Sequence, residues 1–491
     1  MEFLAYFFFS LYLISLTIIG LYCLSQFHLF ILYLTKKNNT TPAEVLSSRE
    51  EWPSVTIQLP LFNEKYVAER LIDNIIKMDY PKDKLFVHIL DDSTDETKEI
   101  TKQKTEFYQS AGFAIQTFYR EDRTGFKAGA LKEGMLHVTT PFVAIFDADF
   151  MPEPDFLKKT MPYFDNPDTG VVQTRWLHLN QHESLLTEMQ AIQLNVHFTV
   201  EQAGRYKSDY LLQFNGTAGV WRTRTIADAG GWQADTLTED LDLSYRAQLK
   251  DWKIVYLEDA GSPAELPKDI HGLKSQQFRW MKGGAENAKK MLSSVWSSGL
   301  KGSQKLHATS HLMASSVFPA VLLLGISSVP LVWLVKQVDL PLHMLQIFLA
   351  SFASIVVIYF TVNVLVLREK RPILWQIIKF LLIFPIFMSL SMALALHNSL
   401  AVIQGWLGKK SPFIRTPKYG EQKRTFVSRS SYFSKQINGV TLAEAVLAVY
   451  FVAAIFIGFH TGIKDFAILH GMLALGYSSL VFYTLRDASG R

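Results

Sequence analysis

Phe142-Val143-Ala144-Ile145-Phe146-Asp147-Ala148-Asp149 joins an apolar run to a pair of acidic residues. Its apolar run is long enough for a buried strand and too short for a helix. The strand runs straight into two carboxylates flanking a small residue. Two such groups at a strand end can hold a hard divalent cation against a diphosphate, where the metal offsets charge on a leaving group. Taken alone, an Asp-X-Asp turn is more often an ordinary acidic strand-to-loop junction.

The segments before it have the same form. Val55–Pro60 and Leu85–Leu90 are apolar strands, the second ending in Asp91-Asp92-Ser93, and residues 114–119 make a third. Helical patterns fill 65–78, 94–111 and 128–138 between them. Strands alternating with helices predict an α/β fold, a mainly parallel Rossmann-like sheet covered on both faces. Such sheets bind ligands beyond the carboxyl ends of their strands, where both Asp clusters fall.

Apolar residues are segregated. They concentrate at 3–34 and again from about residue 307 to 485, leaving residues 35–306 as a soluble domain. The first run exceeds a signal-peptide core of roughly 7–15 residues. Lys36-Lys37 follow it, which predicts a retained anchor (1–34) with its C-terminal end and the soluble domain in the cytoplasm. Basic segments at 368–371 and 409–435 are expected on the same side. An even number of crossings must then lie between 306 and 404, although three apolar stretches are available there. The stretch 373–403, with Pro385, His397 and Asn398, is assigned as the one that lies in the interface or re-enters. The expected organisation is two membrane helices in 307–367, an interfacial helix and loop in 368–440, and two more helices with a short cytoplasmic tail in 441–491. The sum is about five crossings, with six as the alternative. The net charge of +4 is too mild to indicate nucleic acid. The single cysteine, Cys23, excludes a disulfide framework and a Cys-based zinc site.

Further candidate groups are spread along the soluble domain. A carboxylate of Asp91-Asp92 can accept from a base N–H or a ribose hydroxyl, or cap the following helix. Lys127, within Gly125–Leu131, opens a helix and can meet a phosphate. Phe214-Asn215-Gly216-Thr217 is a turn that lets a ligand approach the backbone. Thr238 is placed to cap a helix carrying Glu239 and Asp240 in its first turn, where Asp240 can deprotonate a hydroxyl; an acidic first turn is also favoured by the helix dipole alone. Gln276, Arg279 and Trp280 offer a planar cation for phosphate beside an indole for a sugar face. Phe413, Thr416 and Lys418 lie in the basic segment 409–435, whose plainer reading is contact with anionic lipid.

This series of separated Asp motifs closed by Gln-X-X-Arg-Trp, from Ser54 to Lys418, resembles the processive family 2 glycosyltransferases. These are the cellulose synthases, hyaluronan synthases and cellulose synthase-like enzymes. The segments around Asp91-Asp92 and Phe214–Arg222 look most like the cellulose synthase-like A branch, similar to mannan and glucomannan synthases. The resemblance implies a GT-A type domain inserted in a helical membrane domain. It also implies a hexosyltransferase using GDP-mannose, GDP-glucose or UDP-glucose, a glycan acceptor, and Mg²⁺ or Mn²⁺. Asp91 and Asp92 would meet the nucleoside, Asp147 and Asp149 the diphosphate and metal, and Asp240 would be the base. Phe214–Thr217 would form the acceptor-side turn, and Gln276, Arg279 and Trp280 would bind diphosphate and acceptor. Phe413–Lys418 resembles the gating loop of cellulose synthases, with Arg415 where those enzymes usually carry Val. The expected product is a β-linked polysaccharide exported across the bilayer, in an inner or plasma membrane in a bacterial source. Alternatives are non-processive transfer to a lipid, and a transporter with a nucleotide-sensing domain, which predicts paired charges within the spans.

Overall fold

The computed structural model describes residues 1–37, 51–338, 340–341, 345–346, 348–411, 414–416, 418, 420 and 438–488. Its centre is a seven-stranded sheet in the order β3-β2-β1-β4-β6-β5-β7. The strands are β1 (Val55–Leu61), β2 (Leu85–Asp91), β3 (Ala114–Tyr119), β4 (Phe142–Ile145), β5 (Thr169–His178), β6 (Gly219–Arg222) and β7 (Lys253–Ala264). β1 to β4 run parallel, in register from Val55 opposite Leu85 and Phe142. β6 is antiparallel to both β4 and β5, while β5 and β7 are parallel. The sheet is therefore mixed, with its parallel half where the sequence predicts it.

The alternation along β4 shows why this strand is central. Phe142 and Ala144 pack with Ile57, Leu59, Val87 and the helix Ala68–Ile76 on one face. Val143 and Ile145 pack with Leu131, Trp221 and Ile254 on the other. Both faces are covered, which accounts for the uninterrupted apolar runs of the strands.

The helix Ile270–Ser297 leaves the sheet domain and carries Gln276, Arg279 and Trp280. It packs on the helix Ala395–Trp406, so that Gly405 lies against the Lys282 backbone, where a Cβ would approach to 2.7 Å. Among the described residues, six helices are long and apolar enough to cross a membrane: Glu2–Thr35, Ala314–Leu334, Leu349–Val366, Ile373–Ala393, Gly439–Thr461 and Ala467–Asp487. The stretch 373–403 thus forms two helices, and the first of them has the length and composition of a span despite Pro385. Phe380, Phe384 and Phe387 on it pack with Phe451, Leu473 and Tyr477 of the last two helices.

Candidate functional site

The carboxyl ends of β1, β2 and β4 open on a cavity of about 200 Å³. Asp92, Lys127, Asp147, Asp149, Asn215, Gly216, Glu239, Asp240, Gln276, Arg279, Trp280, Thr416 and Lys418 line it, so thirteen residues singled out in the sequence meet there. Phe413 lies outside the described residues.

Asp147 and Asp149 follow β4, as the sequence predicts. The Asp147 backbone N–H donates to Thr217 Oγ1 at 2.9 Å, which ties the end of β4 to the turn before β6. Lys127 Nζ donates to Asp147 Oδ1 at 2.6 Å and to the Gly216 carbonyl at 2.8 Å, and lies 4.0 Å from Glu239 Oε1. Burial works against the Lys127 charge, but Asp147, Glu239 and Asp240 hold its pKa above the ordinary value. Its partners are therefore acidic side chains of the site. Asp149 is buried and ion-pairs with Lys418.

Asp240 stands in the first turn of the helix Glu239–Gln248. Gly216 adopts φ +79° beside it, and a Cβ on Gly216 would lie 3.0 Å from Asp240 Oδ2. Only glycine combines that backbone conformation with so close an approach. Burial and the neighbouring Glu239 push the Asp240 carboxyl up to about 7, while Lys127 opposes the rise. Burial likewise raises Glu239. Thr238 does not cap the helix with its side chain; it is held by Asn287 Nδ2, 2.9 Å from Thr238 Oγ1. The cap is lost because Thr238 is the seam between this helix and Ile270–Ser297.

Arg279 reaches across to the segment after the helix Ala395–Trp406. Its Nη1 donates to the Ile414 carbonyl at 2.5 Å and its Nη2 to Thr416 Oγ1 at 2.9 Å. Burial lowers its pKa to about 10, against Asp147 and Glu239.

Three sequence-predicted residues face away from the cavity. Asp91 is 1% exposed, accepting from Ser93 N at 2.9 Å and Thr101 Oγ1 at 2.7 Å, so it orders the turn after β2. Phe214 is wholly buried against Trp221, and its N–H donates to Ser244 Oγ. Thr217 is also buried and acts through the Asp147 backbone.

Other residues at or behind the cavity wall carry no local signal in the sequence. Arg120 Nε donates to Asp92 Oδ1 at 2.8 Å, and its Nη2 pairs with the other carboxylate oxygen. Arg123 stacks on the Phe62 ring, 3.2 Å from its centroid. Glu64 is raised to about 8 by burial and by the charges of Asp149 and Asp147, although Arg415 and Lys418 oppose the rise. Its Oε2 is buried without a hydrogen bond, with Arg415 Nη1 3.4 Å away. Asp147, Asp149 and Glu64 all line the cavity, each beside a cation from elsewhere in the fold. Carboxylate oxygens are the donors a hard divalent cation takes, and Asp147 and Asp149 offer groups of that kind.

Residues 53–283 match the family described as "Glycosyltransferase like family 2". The chain carries a family 2 glycosyltransferase domain. It is 45% identical over 249 residues to glucomannan 4-beta-mannosyltransferase 1 of Oryza sativa subsp. japonica, a match covering 50% of this chain and 48% of that protein. It is 41% identical over 249 residues to glucomannan 4-beta-mannosyltransferase 7 of Arabidopsis thaliana, covering 50% and 45%. The chain spans about half the length of the curated relatives it matches. Among solved structures it resembles the mannosyltransferase PcManGT from Pyrobaculum calidifontis in complex with GDP-Man and Mn²⁺. The TM-score is 0.56 at 20% identity, covering 83% of this chain and 100% of that one. The family 2 domain thus has the GT-A fold, a mixed sheet with apolar helices flanking it.

Proposed function

We propose that the chain is an inverting, metal-dependent hexosyltransferase that extends a β-linked mannan or glucomannan from a nucleotide sugar, with GDP-mannose the favoured donor. The observation that carries the reading is the meeting of Asp147, Asp149, Asp240 and Arg279 on one cavity, with Asp240 raised to about 7. The mannosyltransferase names of the relatives support the choice of sugar.

Asp92, oriented by Arg120, and Arg123 on Phe62 form the nucleoside end. Asp147 and Asp149 would hold Mg²⁺ or Mn²⁺, which neutralises charge on the diphosphate as it leaves. Arg279 adds a fixed cation to the same charge. Asp240 takes the proton of the acceptor hydroxyl as that oxygen attacks the anomeric carbon from the face opposite the diphosphate. A carboxylate with a pKa near 7 is a stronger base than an ordinary one and is still half ionised at neutral pH. Trp280 offers the acceptor sugar an indole face. Incubation of the detergent-solubilised chain with Mn²⁺, GDP-mannose and a β-manno-oligosaccharide tests this: release of GDP with lengthening of the oligosaccharide is expected, and no release with any nucleotide sugar removes the reading.

The membrane helices would carry the product outward, with residues 35–306 in the cytoplasm. The helix Ile373–Ala393 is taken as interfacial although it is long enough to cross. Lys379 near its start ion-pairs with Glu188, and His397 just beyond its end lies 2.9 Å from the Lys274 carbonyl. Contacts at both ends with the catalytic domain support a helix that leaves and returns on one side, hence five crossings.

A further inference from the structure

Behind Asn215, a line of polar groups runs from the cavity to the first membrane helix. Asn215 is 8% exposed and lines the cavity, and its Nδ2 has no hydrogen-bond partner. Its Oδ1 lies 3.1 Å from His197 Nε2. His197 Nδ1 in turn lies 2.7 Å from Glu201 Oε2. The ring thus bridges the Glu201 carboxylate and the Asn215 carboxamide. With the amide oxygen on the ring, Asn215 Nδ2 is turned the other way.

Glu201 is itself held from two further sides. Arg205 Nη1 is 3.7 Å from it, and Tyr22 OH of the helix Glu2–Thr35 reaches its other oxygen at 3.4 Å. Burial alone would raise the Glu201 carboxyl, but His197 and Arg205 bring it down to about 2. The four residues of the line lie on separate parts of the chain except for the segment His197–Ala203. That segment is a π-helix, a winding that recurs at functional sites.

We propose that His197 is a positioning residue for acceptor recognition: held by Glu201, it fixes the Asn215 carboxamide with its N–H groups toward the cavity, where they donate to an oxygen of the acceptor sugar. The inference rests on the transfer reading above. It assigns the contact to the acceptor because the next residue, Gly216, lies against Asp240, the group that meets the acceptor hydroxyl. A buried donor left unsatisfied loses its hydration, so an N–H donor at this wall is suited to a ligand oxygen.

The test is steady-state kinetics of the full chain in detergent with Mn²⁺, GDP-mannose and a soluble β-manno-oligosaccharide. Asn215→Ala and His197→Ala are each expected to raise the acceptor KM about tenfold with the donor KM unchanged. The double variant is expected to be no worse than either single one, because His197 acts only through Asn215. His197→Gln keeps an N–H donor toward Asn215 Oδ1 and is expected to recover most of the loss. Additive losses, a change in donor KM instead, or an unaltered acceptor KM would overturn the proposal. If His197→Ala does not fold, Asn215→Ala decides alone, an unaltered acceptor KM being the overturning result. A wild-type chain that consumes no nucleotide sugar is a different outcome: it removes the transfer reading and this role with it.

Discussion

At Asp240, burial and the Glu239 charge push the carboxyl upward while Lys127 pulls it back, and the balance lies at about 7. A base works in its ionised form, so turnover should rise with pH through about 7 and level off above it. Replacing Lys127 by Met removes the opposing charge, and the rising limb of the pH–rate profile should move to higher pH. A profile that keeps its midpoint would separate Lys127 from the base. Asp240→Asn should lower kcat by about 10²–10⁴-fold while nucleotide-sugar binding persists. Asp149→Ala should weaken the response to Mn²⁺, read as the metal concentration needed for half-maximal rate. Most of these residues were legible because each stands beside its own structural marker. Asp147 and Asp149 follow an apolar strand, Asp240 opens a helix, and Arg279 adjoins Trp280. Glu64 and Arg123 were not, since each is a single charge in a loop that only the fold brings to the cavity, and Arg120 reaches the site only through Asp92. One signal for Glu64 existed: the loop after β1 must line the same crevice as the loops after β2 and β4. Asp91 and Asp92 show the opposite case, where adjacent residues of one motif point to opposite sides of a strand end.

The helix Ile270–Ser297 is the element that joins chemistry to membrane. Five residues before Arg279, Lys274 Nζ donates to Glu444 Oε2 at 2.7 Å and to Thr484 Oγ1 at 3.3 Å, contacting both of the last two helices. Glu444 is wholly buried, and removing one partner of such a pair strands the other charge. Glu444→Leu or Lys274→Met should each cost about 3–5 kcal/mol, seen as a lowered Tm in detergent. The double variant should recover most of it. Equal Tm values for the wild type and both single variants would deny the pair a structural role. The helices and parallel strands were legible from period and punctuation. β6 was not: Gly219–Arg222 is short, and its antiparallel pairing with β4 and β5 depends on partners remote in sequence.

On the scale of the whole molecule, segregation of apolar residues was the legible feature, and the path of 373–403 was the hard one. Composition makes Ile373–Ala393 a span, whereas charge parity and the contacts of Lys379 and His397 favour a helix that stays on one side. Cys23 is buried, so single cysteines can report sidedness. Lys370→Cys and Lys410→Cys in sealed vesicles should both react from the side that exposes the catalytic domain. Reaction from opposite sides would make Ile373–Ala393 a crossing.

Transfer of mannose to a β-glycan is read most plainly from the product. The purified chain with Mn²⁺ and GDP-mannose should release GDP and build a polymer that an endo-β-mannanase digests to short oligosaccharides. GDP release with the sugar found on a lipid, or nucleotide-sugar binding with no release, would contradict it.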